Sequence, residues 1–164
     1  MSLNIPATDL LHWNDQTAAH WRDLLIAHPE ILALPCDIRN AQTVAQLMQH
    51  IVAVELRFAQ RLASEPESDY NTIPYDSAEA LFATHERALN LLHPLLADAA
   101  FNWSTEIEFQ TLTAGRLRAS RRTILVHLLM HSIRHYAQLA TLVRTHGFTP
   151  DWAMDYLMTD VERV

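Results

Sequence analysis

Glycine and cysteine are scarce in this sequence. Only two glycines, Gly115 and Gly147, occur among its 164 residues. Because tight turns depend heavily on glycine, this scarcity favours a helical protein with few connections. The single cysteine, Cys36, excludes an intrachain disulfide and suits a reducing compartment.

Basic residues and long apolar runs are lacking as well. The chain has 12 Lys and Arg against 19 Asp and Glu, which gives a formal net charge of -7. Nucleic acids and anionic membranes both attract basic surfaces, so we expect neither as a partner. No segment approaches the roughly 20 apolar residues of a membrane span. The N-terminal residues also lack the pattern of a secretory signal, so we expect a soluble, cytoplasmic protein.

Four segments show the apolar spacing of amphipathic helices, at about 9–28, 41–63, 77–93 and 120–146. Asp76 and Glu79 resemble a capping box at the start of the third segment, and Pro94 is expected to kink or end it near His93. Residues 99–117 lack helical period, and "EIEFQTLTA" alternates enough for a short strand. The pattern predicts an all-α fold, a four-helix bundle forming a single domain over residues 1–164.

The ten histidines are unusually numerous, and three of them stand four residues apart in "VHLLMHSIRHYAQL". On a helix, His131 and His135 lie on one face and can aim both imidazoles at one metal ion. The sequence H-S-I-R-H lacks the glutamate of an H-E-x-x-H metalloprotease, which excludes that class. The alternative is that the two histidines are solvated or hydrogen-bonded residues spaced by chance.

A metal site needs a third ligand, and His50 is the best candidate. It lies near the middle of the second segment, beside the apolar stripe. Metal sites in bundles are built from inward side chains of facing helices. His127 extends the column by one turn and is a ligand, a partner of a ligand or a core residue, with the last two favoured. The other histidines have no evident pairing.

Two stretches carry a resemblance to a known family. His50 in "TVAQLMQHIVAVELRF", together with "HLLMHSIRHYAQLATLVRTHG", resembles the DinB/YfiT-like superfamily. The matching positions of the fourth segment are His131, His135, Gln138, Leu139, Val143, Arg144 and Gly147. The family often has His-Arg-Gly-Gln around its last ligand, and Tyr136 and Ala137 depart from it, so the arginine of that motif has no counterpart here.

The resemblance implies a four-helix bundle of the DinB/YfiT-like type with up-down-down-up order. It implies a divalent metal ion, commonly zinc or nickel, held by His50, His131 and His135. It also implies a homodimer and an activity like that of thiol-dependent S-transferases, with a low-molecular-weight thiol and another small molecule as substrates.

Three functions are compatible with these residues. A metal-dependent thiol S-transferase would use the ion to hold a thiolate. A metal-dependent hydrolase would need a general base, and Glu55 lies off the face of His50. A non-catalytic metal-binding stress protein would use the ion for stability. Arg57, seven residues after His50, either meets an anionic substrate or points to solvent, and solvent is the favoured alternative.

Overall fold

The computed structural model describes residues 5–111 and 114–162. Four helices dominate it: α1 Ala7–Ala27, α2 Val44–Leu62, α3 Ala78–Ala97 and α4 Arg121–Thr145. Two antiparallel strands, β1 Glu106–Thr111 and β2 Gly115–Ser120, form a hairpin before α4. The prediction of four helices is therefore confirmed, and the hairpin qualifies the all-α class. None of the described helices is long and apolar enough to cross a membrane.

The helix termini follow local hydrogen bonding, with two departures from expectation. The Ser77 side chain caps α3 by accepting a hydrogen bond from the Ala80 amide, so the expected capping box at Asp76 is wrong. Ser77 has the extended backbone that lets its hydroxyl reach the third amide of the helix. The helix also continues past Pro94 to Ala97. Pro94 lies one turn from the end, where it removes one backbone hydrogen bond.

The core shows how the four helices run. One apolar cluster contains residues from the C-terminal halves of α1 and α4 and the N-terminal halves of α2 and α3. A second cluster contains the opposite halves of the same four helices. Helices α1 and α4 therefore run in one direction and α2 and α3 in the other. This is the up-down-down-up order that the resemblance implied.

A charged layer crosses the core near the boundary of the two clusters. His85 on α3 lies 2.7 Å from Glu55 Oε2 through Nδ1 and 3.3 Å from Asp15 Oδ1 through Nε2. His85 and Glu55 are almost completely buried. Burial lowers the pKa of His85, but the two carboxylates outweigh it and raise that pKa to about 10. His85, which had no evident pairing in the sequence, is thus an imidazolium that joins three helices.

The connection between α1 and α2 carries unusual backbone geometry. Arg39 and Asn40 have φ values of 59° and 61°, in the left-handed region that non-glycine residues seldom adopt. Both residues line the cavity in which His50 also lies. Strained backbone of this kind is most often found beside functional sites.

Candidate metal centre

Three histidines from two packed helices meet at one point. His131 and His135 are successive inward positions of α4, one turn apart, and His50 projects from the adjacent α2. Their ring centroids are 4.5 Å (131 to 135), 4.8 Å (50 to 131) and 5.2 Å (50 to 135) apart. One nitrogen from each ring lies within 4.8 Å of the other two. The structure thus brings together the three residues predicted from the sequence.

The nitrogen positions are compatible with a divalent ion. Tetrahedral zinc with bonds of about 2.0–2.1 Å requires nitrogens about 3.3–3.4 Å apart. The Nε2 atoms of His50 and His131 are 3.0 Å apart, and the widest separation in the group is within 4.8 Å. Small side-chain rotations would bring all three to bonding distance. His131 Nδ1 is buried and has no partner among the described residues, so no hydrogen bond restrains that ring at Nδ1.

Neighbouring side chains fix the tautomer of His135. Its Nδ1 donates a hydrogen bond of 2.7 Å to Gln138 Oε1. Its Nε2 accepts one of 3.1 Å from an Arg134 amino group. Nε2 is therefore the unprotonated nitrogen of this ring, as a metal ligand requires. An ion bound at Nε2 would displace Arg134 from the lone pair of that nitrogen.

Burial keeps the three imidazoles neutral, which is the form that binds metal. Desolvation lowers the pKa of His50 to about 4, and the neighbouring His135 adds to the effect. Desolvation and then His50 lower the pKa of His131 to about 2. Desolvation also lowers the pKa of His135, although the hydrogen bond to Gln138 opposes it.

His127 continues the column without joining the cluster. Its ring centroid lies 5.6 Å from that of His131 and 5.3 Å from that of Phe58. The side chain is exposed, so the expectation of a core histidine is wrong. His127 instead lines the cavity that leads away from the three histidines.

This cavity has a volume of about 860 Å³, which is in the range of small-molecule sites. Apolar side chains from α2, α4 and the hairpin form much of its wall, among them Phe58, Phe109, Leu117 and Ile124. None of the lining residues within 5–111 and 114–162 is acidic, although the chain as a whole is strongly acidic. Four arginines line it: Arg39, Arg57, Arg61 and Arg134.

Arg57 and Arg61 lie at the end of the cavity away from the histidines. Arg57 forms an ion pair of 2.8 Å with Glu67, and its side chain is only 20% exposed. The favoured expectation that Arg57 points to solvent is therefore wrong. Arg61 could have been found from the sequence, because it stands eleven residues after His50, on the same face as Val54 and Phe58. No such period reveals Arg39 or Phe109, which come from a loop and a strand.

The comparisons with known proteins agree with this architecture. No curated protein matches the chain. The sequence model of the DinB family matches residues 1–162. With its four helices and clustered histidines, the chain belongs to the DinB family.

Proposed function

We propose that this protein is a divalent-metal-dependent enzyme of the thiol S-transferase type. One observation carries the proposal: three imidazole nitrogens converge on the wall of a cavity large enough for a small molecule and without an acidic lining residue among those described. Three protein ligands leave coordination positions open for a substrate, as in catalytic metal sites.

His50, His131 and His135 would hold the ion. Imidazole ligands suit several metals, and we propose zinc or nickel. When bound, such an ion supplies Lewis acidity that lowers the pKa of a thiol at the open positions.

The surrounding residues prepare the transfer step. Phe58, Phe109 and Ile124 give the cavity an apolar wall that excludes water from an electrophile. The thiol sulfur forms a bond to the electrophilic carbon while the bond to the leaving group breaks. His127, which faces the cavity between Phe58 and His131, is placed to accept the thiol proton.

The geometry removes the general base that the sequence suggested for a hydrolase. Glu55, the candidate base of a hydrolase, is buried against His85 and does not line the cavity. Apart from the three histidines and the arginines, the titratable side chains among the described lining residues are His127 and Tyr70. A hydrolase would have to activate water with one of these. A non-catalytic metal-binding role does not account for the cavity beside the histidines.

Turnover of a thiol with a chlorinated aromatic electrophile tests the proposal. We expect zinc- or nickel-loaded wild type to accelerate loss of chloride from 1-chloro-2,4-dinitrobenzene with cysteine or glutathione. His131→Ala should abolish this rate. The matched control is His12→Ala, since His12 is exposed and does not line the cavity. Equal turnover in His131→Ala and wild type would refute the proposal, and turnover unaffected by omission of thiol would favour the hydrolase.

A further inference from the structure

The guanidinium of Arg61 is buried with one hydrogen-bonding group unused. Its side chain is 8% exposed. Nε and Nη2 donate hydrogen bonds of 2.8 and 2.5 Å to Glu67 Oε1. Nη1 is buried and has no partner among the described residues. Because an unsatisfied buried donor is costly, a small shift of the side chain that lets a ligand atom accept from Nη1 would be favourable there.

The surroundings of Arg61 leave positive charge at this end of the cavity. Arg57 and Arg61 share the carboxylate of Glu67. Glu65 and Glu108 line the adjoining cleft, and Glu108 is paired with both Arg116 and Arg118. Four arginines therefore meet three carboxylates, which leaves one positive charge. The Arg61 guanidinium carbon lies 4.5 Å from the ring centroid of Phe58 and 4.2 Å from that of Phe109. These two rings hold the guanidinium plane in place and limit the water around it.

An apolar path joins this end to the histidine cluster. Along it the ring of His131 is followed by those of His127, Phe58 and Phe109, with successive centroids 5.6, 5.3 and 6.1 Å apart. On α2, Arg61 follows His50 by eleven residues, which is about 16 Å along the helix axis. One elongated molecule could therefore touch both ends of the cavity.

We propose that Arg61, assisted by Arg57, binds a carboxylate of the ligand at the end of the cavity remote from the histidines. This proposal rests on the function proposed above, because it names the class of substrate that such an enzyme would bind. The ligand is then an elongated monoanion, with an apolar middle against Phe58 and Phe109. The single uncompensated positive charge matches a carboxylate, whereas a phosphate dianion would bring excess negative charge into an apolar cavity.

Calorimetric binding of a matched pair of probes tests this assignment. The probes are 4-phenylbutyrate and its uncharged amide, titrated into protein treated with a chelator so that the carboxylate cannot bind a metal ion. We expect wild type to bind the carboxylate about tenfold more tightly than the amide, and Arg61→Gln to lose that preference. The matched control is Arg134→Gln, which removes the same charge at the histidine end and should keep the preference.

The reverse outcome would overturn the assignment: loss of preference in Arg134→Gln with retention in Arg61→Gln places the anion beside the histidines. Tighter binding of phenethyl phosphate than of 4-phenylbutyrate would also contradict a carboxylate site. Because the protein is metal-free in this assay, a failure of the three histidines to bind metal would leave the expected preference unchanged. The two proposals can therefore fail separately.

Glu67→Gln provides a second variant in case Arg61→Gln does not fold. Removing the competing carboxylate should raise the affinity for 4-phenylbutyrate several-fold and leave the affinity for the amide unchanged. A purely structural role for Arg61, in which it only tethers Glu67, predicts no gain for the carboxylate. Absence of that gain would refute the proposal.

Discussion

The imidazolium of His85 should make the stability of this protein fall with rising pH. Its pKa is about 10 in the folded protein and near 6.5 in an unfolded chain. Below pH 6.5 both states bind the proton, and the stabilisation by Glu55 and Asp15 is fully present. Between these two pKa values the folded state binds one proton more than the unfolded state. The free energy of unfolding therefore decreases by about 1.4 kcal/mol per pH unit. From pH 7 to 8.5 the loss is about 2 kcal/mol.

This window separates His85 from most of the other shifted groups. Burial also raises the pKa of Cys36, whose unfolded value of about 8.5 adds a smaller loss of stability at the upper end of the window. The pKa values of His50, His131 and His135 are lowered, so their contribution changes only below about pH 6.5. Burial raises the pKa of Tyr136, whose unfolded value of about 10 lies above the window.

Urea denaturation at pH 7.0, 7.5, 8.0 and 8.5, followed by circular dichroism with a chelator present, measures the slope. His85→Gln should remove most of the slope and lower stability at pH 7 by roughly 3–5 kcal/mol, because it leaves Glu55 buried without its cation. His93→Gln, at an exposed position on the same helix, is the control and should keep the slope. A wild-type stability that is constant or rises across this window would refute the reasoning.

Three further predictions concern the metal centre. Gln138→Ala should weaken zinc binding about 10–100-fold, measured by competition with a chromogenic chelator, because His135 Nδ1 loses its acceptor. Arg134→Gln should strengthen zinc binding several-fold in the same assay, because a cation that competes for His135 Nε2 is removed. Free zinc at 100 times its dissociation constant should stabilise wild type by about 2.7 kcal/mol in urea denaturation and leave His50→Ala unchanged.

Helical periodicity explains what could be predicted from the sequence. His131 and His135 stand one turn apart, and His50 lies beside an apolar stripe, so each could be assigned to an inward face without knowledge of the packing. The strand Glu106–Thr111 was indicated by its alternation. Its partner Gly115–Ser120 was not, because Leu117 and Ala119 alone give too short an alternation and only pairing with β1 defines the strand.

What could not be predicted depends on contacts between distant segments. His85 is 30 residues from Glu55 and 70 from Asp15 along the chain. No local sequence pattern predicts that these three side chains are in contact. The cavity is likewise assembled from two connections, a hairpin and two helices. Arg39 enters it through a left-handed turn that the sequence does not signal with glycine.

Metal analysis of protein purified without an affinity tag tests the central claim most directly. The account predicts close to one zinc or nickel ion per chain in wild type, and loss of that ion in His50→Ala, His131→Ala and His135→Ala but not in His127→Ala. Equal metal content in wild type and His50→Ala would contradict the account, because His50 alone brings α2 into the three-histidine centre.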